Sequence, residues 1–117
     1  MQTRILGNSD LAITPLGVGA WAMGGGGWAF GWGPQDDADS VAAVHAATTA
    51  VLRRGLRPLM LGGEHSISSG AVGAVAERYP DLVLVQLDAH ADLRQEWLGT
   101  HHSHACAMRR CLEVLPS

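Results

Sequence analysis

Residues 82–87 read Leu-Val-Leu-Val-Gln-Leu, and Asp88-Ala-His-Ala-Asp92 follows without a break. A short run that is apolar on both alternations predicts a strand with both faces covered, the situation of a parallel sheet under helices. Pro58-Leu59-Met60-Leu61 is a second run of this kind, and it leads into Gly62-Gly63-Glu64-His65-Ser66. Residues 68–79, between the two, carry a helical pattern. Strand, helix, strand makes a βαβ unit with a right-handed crossover. The expected class is therefore α/β, with strands at 58–62 and 82–88.

The residues just past each run carry the chemistry. In extended backbone, alternate side chains share a face, so Asp88, His90 and Asp92 are expected to point the same way. Carboxylates clustered that closely repel one another and call for a cation. Ligands of open parallel sheets collect beyond the carboxyl ends of the strands, and His65 lies just past the other strand end. His65, Asp88, His90 and Asp92 are thus candidate metal ligands. Mixed imidazole and carboxylate donors suit Mn²⁺, Fe²⁺, Co²⁺ or Zn²⁺ better than Ca²⁺. Alone, His65 reads as an ordinary loop histidine; the second cluster makes it a ligand. Glu64 reads as a capping or supporting group.

Three stretches occur in order: Leu61-Gly-Gly-Glu-His-Ser66, Gln86-Leu-Asp-Ala-His-Ala-Asp-Leu-Arg94 and Ser103-His-Ala-Cys-Ala-Met-Arg-Arg110. Together they resemble the ureohydrolase family of arginases and agmatinases, over residues 47–117. The stretch around His104 looks most like agmatinase. The resemblance implies a three-layer α/β/α fold on a parallel sheet, of which this chain holds a part. It also implies two Mn²⁺ ions and a guanidino substrate such as agmatine, hydrolysed with release of urea. By the same resemblance, His65 and Asp92 are ligands of one metal, His90 of the other, and Asp88 bridges them. His104 resembles the histidine near the substrate, with a proton-shuttling or positioning role. The family takes further ligands from a later Asp-x-Asp motif. None follows His90 in this sequence, so the expectation is one well-held ion and little turnover from this chain alone.

Residues 1–46 resemble a different family. Met1-Gln-Thr-Arg-Ile-Leu-Gly-Asn-Ser-Asp-Leu-Ala-Ile-Thr-Pro-Leu-Gly-Val-Gly-Ala-Trp-Ala-Met23 is similar to the opening of an aldo/keto reductase, and Gly24 to Asp37 continue the likeness. That resemblance implies a β-hairpin, a first barrel strand and a Gly/Trp-rich loop, with Trp21 near a nicotinamide cofactor. The reductase tetrad needs a lysine and a tyrosine. This chain has no lysine, and its single tyrosine, Tyr79, lies in the other half. A closed (β/α)₈ barrel also takes about 250 residues. The expected organisation is a reductase-like segment, 1–46, joined to a ureohydrolase-like segment, 47–117. An NADPH oxidoreductase fragment and an inactive fusion are the competing functions.

The join falls within an expected helix at 38–54. Asp36, Asp37 and Asp39 suit its cap and first turn, and Val41, Val44, Thr48 and Val51/Leu52 recur at helical spacing. Arg53 and Arg54 suit its last turn and Gly55 the position beyond. A short strand or hairpin is expected at 3–14, a strand at 15–20, a Gly/Trp loop at 21–35 and a helix near 104–114. Gly17-Val-Gly19 reads as turn glycines, and Trp21, Trp28, Phe30 and Trp32 as loop packing. His101 and His102 read as exposed loop histidines, Arg109 and Arg110 as helix-surface charges.

Composition narrows the partners. A net charge of −3 favours neither nucleic acid nor an anionic membrane, and no apolar run approaches the ~20 residues of a membrane span. Cys106 and Cys111 do not face each other on a helix, so no disulfide is expected and a reducing cytoplasm fits. Apolar strands with one layer of helices leave exposed faces, which predicts self-association into homo-oligomers.

Overall fold

The computed structural model describes residues 3–13, 36–62 and 64–115. It opens on a two-stranded antiparallel hairpin, β1 (Arg4–Ile5) and β2 (Ala12–Ile13), with Arg4 opposite Ile13 and Ile5 opposite Ala12. Ser9 closes the loop, its hydroxyl donating to the Leu6 carbonyl at 2.7 Å. The expected strand at 15–20, the Gly/Trp loop at 21–35 and the residues Gly17, Gly19, Trp21, Trp28, Phe30 and Trp32 lie outside the described residues.

Three helices follow. Helix α1 (Asp37–Arg53) starts where Asp36 accepts hydrogen bonds from the Ala38 and Asp39 amides. Its inward stripe is Val41, Val44, His45, Thr48, Val51 and Leu52, an i, i+3, i+4, i+7 pattern. It ends in a Schellman closure: Gly55, at φ +70, donates to the Leu52 carbonyl, and Leu56 donates to that of Val51. The helix runs unbroken across positions 46 and 47.

Helix α2 (Ser68–Arg78) is entered through a 3₁₀ turn, His65–Ile67. Its buried residues are Ser69, Gly70, Gly73, Ala74 and Ala76, all small. Small side chains let α1 approach closely: a Cβ built on Gly70 would stand 2.6 Å from the Val41 carbonyl oxygen. Helix α3 (Ala107–Val114), again entered through a 3₁₀ turn at His104–Cys106, packs on α2 and buries Ala107, Met108 and Cys111. The core therefore sits around α2, between α1 and α3.

The expected parallel sheet is not formed among the described residues. Segments 58–62 and 82–88 are extended, but no described backbone hydrogen bond joins them, and the β1–β2 hairpin is the one ladder. Strand character persists in the alternation along 82–87: Leu82, Leu84 and Gln86 face inward and Val83, Val85 and Leu87 outward. The outward face is bare, Leu87 being 96% exposed. Parallel pairs are stable where both faces are covered, and here the helices cover one. Between the segments lies an open cavity of about 290 Å³, with Met60 on one side, Leu84 to Leu87 on the other, and Met108 at its helical wall.

Candidate metal centre

Two turns build the site. Glu64, in extended conformation, caps the 3₁₀ turn by accepting the Ser66 amide at 2.7 Å, which presents His65 from the first residue of that turn. The expected capping role of Glu64 is thus observed. The second turn follows the extended segment 82–88. The chain does not stay extended through residue 92: it bends at 89–90, and the His90 amide donates back to Asp88 Oδ1 at 2.8 Å. Asp92 then takes a left-handed conformation, φ +49. Its carbonyl accepts the Met108 and Arg109 amides at 3.1 and 3.2 Å, at the start of α3.

These two turns bring three expected ligands together. His65 Nδ1 is 2.8 Å from Asp92 Oδ2 and 4.0 Å from Asp88 Oδ2. One ligand atom from each of His65, Asp88 and Asp92 lies within 4.8 Å of the others. Ligand atoms at roughly 2.0–2.2 Å from a shared ion stand at most about 4.4 Å apart, and the 2.8 and 4.0 Å separations from His65 fall inside that limit. An imidazole nitrogen and two carboxylates fit a divalent cation of the Mn²⁺ or Zn²⁺ type. Asp92 is the deepest of the three, its side chain 11% exposed.

His90 is placed differently. The alternation argument put it on the face of Asp88 and Asp92, but the bend at 89–90 turns it outward, and its side chain is 82% exposed. Its Nδ1 lies 3.6 Å from Asp88 Oδ1, the oxygen turned away from His65. Asp88 therefore stands between two imidazoles, one oxygen toward each. Its carboxyl is held below the usual value, chiefly by the His90 amide bond; partial desolvation opposes this, and Gln86 and the two imidazoles add to it. The carboxylate needed for a metal is thus favoured by the loop itself.

His104 lies on the 3₁₀ turn before α3, outside the trio, with Nδ1 4.0 Å from Glu64 Oε1. Among the residues read as bland, His101 bonds the Gln95 carbonyl at 2.8 Å from an exposed position. Arg110 departs from expectation. Its side chain is 14% exposed and clamps Gln95 Oε1 at 2.9 Å and Glu113 Oε1 at 2.8 Å, tying the loop after Asp92 to α3. Helical spacing put Arg110 on the surface. Nothing in the sequence announced that the 93–100 loop folds over it.

The Arginase family profile matches residues 3–117. The chain belongs to that family. The match crosses the supposed junction at residue 46, and the comparisons lend no support to the reductase-like reading of 1–46. Among curated relatives of this arginase-family chain is an agmatinase of Bacillus subtilis, 33% identical over 76 residues, which are 65% of this chain and 26% of that protein. Another is the N(1)-aminopropylagmatine ureohydrolase of Synechocystis, 46% identical over 55 residues, or 46% and 18% of the two chains. The crystal structure of the agmatine ureohydrolase of Thermoplasma volcanium superposes with a TM-score of 0.63 at 41% identity, covering 71% of this chain and 27% of that one. The chain spans about a quarter of these relatives' length or less. Its architecture is part of an α/β ureohydrolase fold.

Proposed function

We propose that this chain carries a divalent-metal site of a guanidino-compound ureohydrolase, with His65, Asp88 and Asp92 as ligands of one Mn²⁺ ion. The convergence of those three side chains within 4.8 Å carries the reading. His90, against the far oxygen of Asp88, would serve a second ion bridged by Asp88. With only His90 and the shared Asp88 among these 117 residues, against the three or four ligands of firm sites, that second ion is bound weakly by them, and their turnover is low.

A metal held by His65, Asp88 and Asp92 would lower the pKa of a bound water and so supply the attacking oxygen. The chain's own residues do the rest. The His90 amide keeps Asp88 ionised. His104, beyond Glu64, holds or passes a proton at the substrate's leaving nitrogen. The proposed substrate is agmatine. The proposed setting is a reducing cytoplasm, consistent with two free, buried cysteines. We also propose that copies associate through the bare Val83, Val85 and Leu87 face.

Incubation of the purified chain with agmatine and Mn²⁺, followed by urea quantification, tests the activity. Slow urea release that disappears in Asp92→Asn supports it. Metal uptake without urea from agmatine, arginine or another guanidino compound would reduce the proposal to a binding site.

A further inference from the structure

Glu64 joins the two turns of the site. Its Oε2 accepts the Ser66 amide at 2.7 Å and also meets the Ser66 hydroxyl. That anchors the side chain, which is one-third exposed. The other oxygen, Oε1, is left over from the cap and lies 4.0 Å from His104 Nδ1. Capping alone does not explain a glutamate here. Ser, Thr, Asp and Asn are the preferred caps, because a short side chain reaches the amides ahead of it best. The extra methylene of Glu64 lets one carboxylate cap the His65 turn and face His104 together. Among the described residues, Glu64 is the acidic group paired with that ring.

Building on the function proposed above, we infer that Glu64 is a positioning residue for His104. One oxygen caps the turn that presents His65, and the other, 4.0 Å from Nδ1 of a ring that is two-thirds exposed, orients the His104 imidazole by charge rather than by a direct hydrogen bond. The turn that presents His65 and the orientation of the proton-handling histidine then depend on a single carboxylate.

The test is side-chain NMR on the metal-free full chain with ¹³C,¹⁵N-labelled histidine, comparing wild type, Glu64→Gln and Glu64→Asp. Gln keeps the cap and loses the charge; Asp keeps both but falls short of the ring. The expected result is one His104 rotamer in the wild type, with ring-proton Overhauser contacts to the Glu64 methylenes. Both variants lose those contacts and average the ring, while the Ser66 amide shift and Zn²⁺ uptake stay as in the wild type. A His104 ring equally ordered in all three, or averaged in the wild type, overturns the inference. If urea is released, Glu64→Gln and His104→Asn should each lower it about tenfold and their double variant no further. Absence of urea in the wild type counts against the ureohydrolase reading and leaves the NMR result to judge Glu64.

Discussion

Asp92 is held at φ +49 by two amides of α3 that bond its carbonyl. A left-handed backbone costs an L-residue about 1–2 kcal/mol, and Asp tolerates it better than most. The conformation swings the carboxylate back to 2.8 Å from His65 Nδ1, so local strain is spent on ligand convergence. His65 and His90 differ in the same terms. His65 faces both carboxylates of the cluster; His90 touches only the outer oxygen of Asp88 from an exposed position. Replacing His65 by Ala should therefore weaken the first Mn²⁺ by about a hundredfold or more, since losing a group that merely supports a ligand already costs about 10–100-fold. Replacing His90 by Ala should change that affinity by less than about threefold. Isothermal titration of the two variants checks the order. Equal losses would place both imidazoles on one ion.

At the scale of elements, the interface of α1 and α2 depends on two glycines with different surroundings. A Cβ on Gly70 meets backbone, 2.6 Å from the Val41 oxygen, whereas one on Gly73 meets side chains at 3.5 Å and beyond. Overpacking costs about 1–3 kcal/mol and replacing helical Gly by Ala returns about 1 kcal/mol. Gly70→Ala should thus destabilise by about 1 kcal/mol, and Gly73→Ala should stabilise by up to about 1 kcal/mol, both read from urea unfolding. Burial in the α2–α3 seam pushes the Cys111 thiol from 9.0 up to about 11. In the unfolded chain the thiol ionises first, so the unfolded state sheds a proton that the native state keeps. Stability therefore falls as pH rises from 9 toward 11, by at most ~1.4 kcal/mol per pH unit. Cys111→Ala should flatten that slope. The helices were legible because caps, apolar spacing and Gly55 are local signals, and all three lie where the spacing put them. The parallel ladder was not, because pairing depends on what covers each face, and Val83, Val85 and Leu87 are largely exposed among the described residues. His65, Asp88 and Asp92 were legible as a set. The reason given for them was wrong in part: the bend at 89–90, rather than a period of two, brings the carboxylates together and turns His90 away. The Arg110 clamp and the Glu64–His104 contact depend on long-range loop placement, which a single sequence does not display.

Among the described residues, three helices form a layer against two extended segments, with His65, Asp88 and Asp92 gathered at one end of those segments and a bare apolar face along one of them. That face predicts association that rises with concentration. Sedimentation velocity should resolve larger species, and Val85→Lys with Leu87→Lys should return the chain toward monomer. An unchanged distribution would mean the face stays open. His65, Asp88 and Asp92 all lie within residues 65–92 of one chain, so the metal binding proposed for them does not depend on assembly. Titration of Mn²⁺ into the purified protein, followed by electron paramagnetic resonance of the free ion, bears on this most directly. One ion per chain should bind tightly, a second only weakly, and Asp88→Asn with Asp92→Asn should abolish the tight event while the helical circular dichroism stays intact. Equal, negligible uptake by the wild type and the double variant would contradict the assignment of His65, Asp88 and Asp92 as a metal site.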